Sequence, residues 1–324
     1  MSGHRPLRIA TRRSPLAVAQ GEAVRRRLCA ALGVPEAAAA DRFPLQTYVT
    51  TGDRQQTGSL AALGGKGLFV KEIEMALLTR AADIAVHSMK DLPAEMPDGL
   101  TTAAVPERDD PRDSFLSPDG RRLAELPAGA RVGTSSVRRA AQTLRTRPDL
   151  TIVEMRGNVQ TRLRKLAEGQ ADGTFLAEAG LVRLGRSGVA RMPMDPDDML
   201  PALGQGALCV QARAADEEAM GACALIDHMP TAVATAAERA FVEGLDGSCR
   251  TPMAGLARMR GGRLRFEAEI LTLDGQRALR RERTVRIEGR DHDDCVLDAV
   301  AAGAEAASEM AEEAGPFLSR MLGR

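Results

Sequence analysis

Leu7-Arg8-Ile9-Ala10-Thr11-Arg12-Arg13-Ser14-Pro15 holds a strand end, paired arginines and a helix start in one short stretch. Leu7 to Thr11 reads as a short buried strand. Ser14 offers the side-chain oxygen that accepts from an orphan N–H of a helix start, and Pro15 at the first helical position has no N–H to lose. The helix runs to Leu32, with Val24, Leu28 and Leu32 on one stripe, and Gly33 closes it. A second strand is expected from Phe43 to Thr50, then a loop rich in Gly, Gln and Thr from Thr51 to Gly67. Leu68 to Thr79 reads as a helix with Phe69, Ile73 and Leu77 in register, and Asp83 to His87 as a third strand. Strand, helix and strand in this order imply parallel pairing through crossover helices.

Pro106 to Asp113 is dense in charge and proline and reads as a hinge or domain boundary. Beyond it the pattern returns in kind. Strands are expected at Arg131 to Gly133, Thr151 to Met155 and Gly173 to Ala177, with helices from Ser135 to Arg145 and from Asn158 to Glu168. A polar crossover at Asp195 to Asp198 and Pro201 leads through Gly204-Gln205-Gly206 into a strand from Ala207 to Gln211. That strand has no helix of its own and is expected to return to the first sheet. A helix from Thr231 to Leu245 and a loop, Asp246-Gly247-Ser248-Cys249-Arg250, follow. Two strands, Leu264 to Leu273 and Ala278 to Ile287, are joined by the turn pair Asp274-Gly275. An Ala/Glu-rich helix ends this smaller α+β module. The expected fold class is α/β, with domain 1 over 1–106 and 207–224, domain 2 over 112–200 and domain 3 over 229–324.

Composition narrows the function classes. Hydrophobic residues at 44% and charged residues at 27% are ordinary for a globular protein, and 324 residues exceed one ordinary core. The formal net charge is zero, which argues against a general polyanion or membrane-surface binder. Aromatics at 2% argue against base stacking. Five widely spaced cysteines without a CxxC pair, and four histidines, give no zinc signature, so no metal is expected. No apolar h-region follows the N-terminus and no apolar run nears ~20 residues, so a cytoplasmic protein without a membrane span is expected.

The chemistry lies where strands end. Lysine occurs only at Lys66, Lys71, Lys90 and Lys165, so nearly all 44 basic residues are arginine. Thr11-Arg12-Arg13-Ser14, Gly133-Thr134-Ser135-Ser136-Val137-Arg138-Arg139 and Arg156-Gly157-Asn158 with Arg162 each put arginines and short hydroxyl or amide residues at a strand exit that opens a helix. Ligands of open α/β sheets bind beyond the carboxyl ends of the strands, helix starts attract anions there, and arginine takes carboxylates on two N–H groups. Taken singly, each site is an ordinary helix cap. Three alike, on two units facing each other, make a cleft for a polycarboxylate. Gly64-Gly65-Lys66-Gly67 lacks the spacing and hydroxyl of a phosphate loop and reads as a Gly-rich flap with one cation. His87-Ser88-Met89-Lys90-Asp91 sets a carboxylate at a strand exit, able to stabilise positive charge on a nitrogen heterocycle, while His87 reads as a packed core residue. Cys249 is the one thiol among flexible polar neighbours, and Arg250 beside it favours the reactive thiolate.

In this order, Arg8-Ile9-Ala10-Thr11-Arg12, Gly65-Lys66-Gly67-Leu68-Phe69, His87-Ser88-Met89-Lys90-Asp91, Gly133-Thr134-Ser135-Ser136, Arg156-Gly157-Asn158, Leu203-Gly204-Gln205-Gly206-Ala207, Glu238-Arg239-Ala240-Phe241 and Gly247-Ser248-Cys249 resemble the successive signatures of porphobilinogen deaminases, the hydroxymethylbilane synthases. The resemblance spans residue 7 to about 256. It implies two domains like the lobes of periplasmic binding proteins and a smaller α+β C-terminal domain. It implies a dipyrromethane cofactor joined by a thioether to Cys249 and held by Ser14, Lys90, Thr134, Ser136, Arg138, Arg139 and Arg162. Substrate binding falls by the same resemblance to Arg12, Lys66, Arg156, Arg183 and Gln205, and catalysis to Asp91, which would hold pyrrole N–H groups as each porphobilinogen loses ammonia. The family habit is a monomer. In one departure, Ala62 stands where some members carry a lysine.

Two rivals use other features. A non-catalytic two-lobed binder of a small polycarboxylate would need the arginines and the hinge, but neither Cys249 nor Asp91. An RNA-binding protein would use the arginine clusters, against zero net charge and scarce aromatics.

Overall fold

Ile9–Arg12 forms β1 and delivers the chain through Ser14 into α1, Pro15–Leu32. Ser14 Oγ accepts from Ala17 N at 3.3 Å, and Gly33 ends the helix at φ +65°, a backbone state that glycine takes without a Cβ penalty. The computed structural model describes residues 5–54, 69–93, 95–245, 251–287 and 291–322. They form two compact units, Met1–Asp109 with Ala207–Ala232, and Asp110–Gly206 with Val233–Arg324.

In the first unit α2 (Ala39–Arg42), β2 (Leu45–Tyr48), α3 (Thr51–Arg54), α4 (Lys71–Leu78), β3 (Ile84–Ser88) and β4 (Leu100–Ala104) follow α1. β1 pairs in parallel with β2 and β3, as strand–helix–strand order requires. Successive side chains leave opposite faces of the sheet. Ile9 joins Val24, Leu28 and Ile84 under α1, while Ala10 joins Ile73, Leu77 and Ala85 under α4.

The second unit contributes β5 (Asp113–Leu116), β6 (Arg131–Gly133), α5 (Val137–Thr146), β7 (Thr151–Val153), α6 (Val159–Ala167), β8 (Gly173–Ala177), α7 (Glu178–Arg183) and β9 (Met192–Pro193). Its core stacks Phe115 on Phe175, ring centroids 5.1 Å apart. β10 (Leu208–Arg213) and α8 (Glu217–Ala224) belong to the first unit, and α9 (Met229–Gly244) leads on. β10 enters the first sheet antiparallel, between β3 and β4, so the strand without a helix partner does return there. The two sheets share one order: β2-β1-β3-β10-β4 and β7-β6-β8-β5-β9. In each the fourth place is antiparallel, filled by β10 in one and by β5 in the other.

β11 (Met253–Arg260), β12 (Arg263–Leu271) and β13 (Ala278–Arg286) form an antiparallel meander packed on α9 and α10 (His292–Leu322). Within the second unit the meander is fastened to the α/β part. Buried Glu238 of α9 accepts from Gly204 N at 2.5 Å and Ala257 N at 2.8 Å. Arg145 of α5 pairs with buried Glu269 of β12. Gly275 presses so close to α5 that a Cβ there would lie 2.3 Å from the carbonyl oxygen of Ala141.

Several expectations are corrected. Leu32 is 38% exposed, so the buried stripe of α1 stops at Leu28. Phe69 precedes α4 instead of lying in its core stripe, and the first four residues of the expected loop form α3. The hinge reading of Pro106 to Asp113 ends inside a strand, because Asp113 opens β5 and is fully buried.

One charge network anchors the first unit. The Asp83 carboxylate, 1% exposed, accepts from Arg8 N and Nε at 2.8 and 2.9 Å, from Arg5 Nη1 at 2.7 Å and from Arg213 Nη2 at 3.2 Å. Burial alone would raise its pKa, but the hydrogen bonds from Arg8 and Arg5 outweigh that and hold it well below the carboxylate range. A depressed folded-state pKa gives stability that is complete above the unfolded value, ~3.9, and is lost as pH falls through the folded value. Asp83→Asn is therefore expected to cost roughly 2–3 kcal/mol at pH 7, read as a lower urea midpoint, because it removes the ionised form that the bonds from Arg5, Arg8 and Arg213 stabilise, while Arg5 and Arg213 keep Asp216 as a partner. The gap from the unmodified protein narrows below about pH 4.

Candidate active site

β1 and β3 are parallel neighbours whose register, Ile9 opposite Ile84, brings Arg12 level with His87 at the carboxyl edge of the sheet. Ser88 ends β3, and Met89–Asp91 follows as one tight turn. Arg12, Ser14, Phe69, His87, Ser88 and Asp91 line a pocket of about 390 Å³ that opens to solvent. Asp91 is exposed, and no described residue bonds its carboxylate. Lys90 is likewise exposed. Arg12 lies with its guanidinium carbon 4.2 Å from the Phe69 ring centroid and its Nη2 2.5 Å from Asp53 Oδ1.

Behind the pocket, Gln211 Nε2 donates to Glu74 Oε1 at 3.3 Å, which turns its carbonyl oxygen to His87 Nε2 at 3.2 Å. All three side chains are buried. Burial, and then the charge of Arg12, lower the His87 pKa to about 4 against the bond to Gln211, so this imidazole is neutral at pH 7. The reading of His87 as a packed core residue agrees with that.

The second unit gathers charge differently. Thr134 Oγ1 accepts from Ser136 N at 3.1 Å, and Ser136 Oγ accepts from Arg139 N at 3.4 Å, so Ser136 caps α5 and Thr134 holds the cap residue in place. Arg138 and Arg139 are each 5% exposed and turn inward. Arg139 donates Nε and Nη2 to Asp113 Oδ1 at 3.1 and 2.6 Å and Nη1 to Phe175 O. Arg138 brings Nη2 to 2.7 Å from Asp113 Oδ2 and gives Nη1 to Leu200 O. Gln205 Nε2 adds bonds to Asp113 Oδ1 at 3.0 Å and Pro111 O at 2.8 Å. Burial raises the Asp113 pKa, but Arg138 and Arg139 outweigh it and hold the carboxyl far below its usual range.

Arg162 is half-buried and donates Nε to Gly157 O at 2.9 Å, with no carboxylate partner among the described residues. Burial, then the like charge of Arg139, lower its pKa to about 10. It stays cationic at neutral pH and under-compensated. Arg156 Nε reaches Glu154 Oε1 at 2.6 Å, and Arg183 Nη2 reaches Gly206 O at 2.6 Å. The structure thus brings Arg138, Arg139, Gln205 and Arg162 together and leaves Arg156 and Arg183 with partners of their own. Lys66, Ala62 and Cys249 lie outside the described residues.

Sequence reasoning gave no role to Asp113 or Asp53, and it quoted Glu238 only within a family signature, without its bonds to Gly204 N and Ala257 N. Asp113 carried a usable signal, since an acid opening the apolar run Phe115-Leu116 must find cations on burial.

Comparisons with known proteins agree with this chemistry. The family model "Porphobilinogen deaminase, dipyromethane cofactor binding domain" matches residues 7–221, and "Porphobilinogen deaminase, C-terminal domain" matches 232–312. A porphobilinogen deaminase of Paracoccus denitrificans is 51% identical over 86% of this chain and 88% of its own. One of Caulobacter vibrioides is 50% identical over 90% of this chain and 91% of its own. Among solved structures, the periplasmic aliphatic sulphonate binding protein SsuA from Escherichia coli is similar at 12% identity, over 75% of this chain and 71% of that one, with a TM-score of 0.40. On the two family models and relatives at half identity along most of its length, this chain belongs to the porphobilinogen deaminase family.

Proposed function

We propose that this chain condenses four porphobilinogen molecules head to tail on a covalently bound dipyrromethane, releases ammonia at each addition, and frees linear hydroxymethylbilane by hydrolysis. The observation that carries the reading is the charge surplus in the second unit. Two buried guanidiniums share the single carboxylate of Asp113, and the partly desolvated Arg162 beside them has none among the described residues. Uncompensated buried cations are costly, and the acid side chains of a pyrrole chain supply the missing negative charge.

That donor set fits dipyrromethane. Arg162, with the hydroxyl protons of Thr134 and Ser136, would hold its carboxylates, and the family resemblance adds Ser14 and Lys90 to its contacts. Arg138 and Arg139 act at one remove, fixing the start of α5 through Asp113. Cys249 would carry the thioether. When bound, the group supplies the nucleophilic pyrrole carbon on which the chain grows.

The chain's own work centres on Asp91. Its carboxylate accepts the pyrrole N–H of the incoming ring and stabilises the positive charge that spreads onto that nitrogen as ammonia leaves. Arg12 takes a substrate carboxylate in the same pocket. Arg156, Arg183, Lys66 and Gln205 complete the substrate contacts in this proposal, Gln205 by tying Pro111 to the Gly204–Gly206 turn. A non-catalytic polycarboxylate binder has no use for an unpartnered carboxylate beside a substrate-binding arginine.

We further propose a cytoplasmic monomer without a nucleic-acid partner. Buried free thiols at Cys29, Cys209, Cys223 and Cys295 support a reducing compartment, and zero net charge speaks against nucleic acid. No described helix is long and apolar enough to cross a membrane. The three-domain division, 1–106 with 207–224, 112–200 and 229–324, is supported by the three separate sheets.

The direct test is incubation with porphobilinogen, following ammonia and linear tetrapyrrole together. One ammonia per pyrrole incorporated is expected, and a chain that leaves porphobilinogen unconsumed overturns the proposal. Asp91→Ala is expected to lower turnover by about 10³-fold with an unchanged melting temperature, since the side chain is exposed and bonds nothing described. Arg162→Met, made in a host without porphobilinogen, is expected to melt no lower than the unmodified chain. Incubated with porphobilinogen, it is expected to acquire the added mass of the two-pyrrole group about tenfold more slowly than the unmodified chain, measured by intact-protein mass over time.

A further inference from the structure

Among the described residues that line the pocket of the first unit, Arg12 is the one arginine, and a carboxylate of the chain already holds one edge of it. Arg12 Nη2 lies 2.5 Å from Asp53 Oδ1, and Arg12 Nε lies 3.4 Å from Oδ2. Asp53 is itself tethered, because Oδ2 accepts from Thr50 N at 3.2 Å and Thr50 Oγ1 at 2.8 Å, and Thr50 is fully buried. The next residue is held as well: Thr51 N and Oγ1 donate to Glu72 Oε1 at 2.8 and 2.7 Å.

One face of the guanidinium is covered by Phe69. That ring is backed by Gly52, where a Cβ would come within 2.2 Å of Phe69 Cε1, so only glycine lets the ring stand there. One edge and one face of Arg12 are therefore spoken for. Nη1 remains, with no acceptor among the described residues, on a side chain that lines the same pocket as Asp91.

We infer that Asp53 is a positioning residue for the reaction: with Phe69 it fixes Arg12 so that the Nη1 edge alone receives one carboxylate of the incoming pyrrole. The inference rests on the reading of this pocket as the porphobilinogen site. A ligand taking the Nε and Nη2 edge would have to expel a carboxylate already aimed there by Thr50. A ligand taking Nη1 displaces nothing. Bonds from Thr50 and Arg12 also keep Asp53 ionised, its pKa lying below the usual range although burial opposes this.

The kinetic test of the inference compares the unmodified chain, Asp53→Asn, Arg12→Ala and the double variant. Asp53→Asn keeps the shape and removes the charge. Its KM for porphobilinogen is expected to rise about tenfold with kcat within about twofold, the loss typical of one charge-assisted contact. In the Arg12→Ala background the same substitution is expected to change KM no further, since Asp53 acts through Arg12. Calorimetric binding of porphobilinogen to Asp91→Ala, which turns over too slowly to interfere, should weaken by the same factor when Asp53→Asn is added. An unchanged KM in the single variant, or the full penalty repeated on top of Arg12→Ala, overturns the assignment while leaving the deaminase reading intact. An unmodified chain that does not consume porphobilinogen removes the deaminase reading itself, and this inference with it.

Discussion

Two buried guanidiniums and one amide converge on the carboxylate of Asp113, and much of the second unit takes its form from that convergence. Arg138 and Arg139 sit in the first turn of α5, so their pairing fixes where that helix begins and where its cap, Ser136, stands. Gln205 brings in the segment that leads back to β10, and its second bond, to Pro111, holds the segment that leads into β5. One acid thus ties the start of α5 to the segments around Pro111 and Gln205. It does so with incomplete compensation. Two cations against one anion leave a positive balance, and Arg162 adds to it. A protein that only needed stability would do better with fewer buried charges. One that must hold an acid-bearing group gains from charge that is desolvated and fixed before the ligand arrives.

The first unit follows another logic. Its pocket offers a carboxylate, Asp91, with no partner among the described residues, and an arginine whose direction is set by Asp53 and Phe69. Opposite charges are kept apart there by giving the cation a partner of its own. Glu74, Gln211 and His87 form a buried hydrogen-bonded floor beneath, in which the imidazole is uncharged at pH 7 and adds no competing cation to the acid at the strand exit.

Much of this was legible in the residues. Strands Arg131 to Gly133 and Gly173 to Ala177 were read to the residue, because short apolar runs bounded by turns have few alternatives. Caps at Ser14 and Asn158 announced their helices, although the cap of α5 is Ser136, where the reading began the helix at Ser135. The return of β10 followed from a strand lacking a crossover helix. What escaped was long-range. β4, Leu100-Thr101-Thr102-Ala103-Ala104, has too little apolar contrast to announce a strand, and β11 is interrupted by Gly255 and ends in charge. β5 hid behind Asp113, whose partners lie 25 and more residues away. Phe69 matched the helical stripe of Ile73 and Leu77, yet its ring went to Arg12, an attraction that helix periodicity does not register. The residue types of the site were therefore visible, but the direction each side chain takes was not. Arg138 and Arg139 show the difference most plainly.

Intact-protein mass spectrometry with peptide mapping tests the central claim most directly, since the whole account requires a polycarboxylate primer made from substrate and kept on the chain. The chain, as purified or after incubation with porphobilinogen, is predicted to carry the added mass of two linked pyrrole units on the peptide containing Cys249. A chain that gains no mass in either condition would contradict the account and leave its arginines to a binding protein.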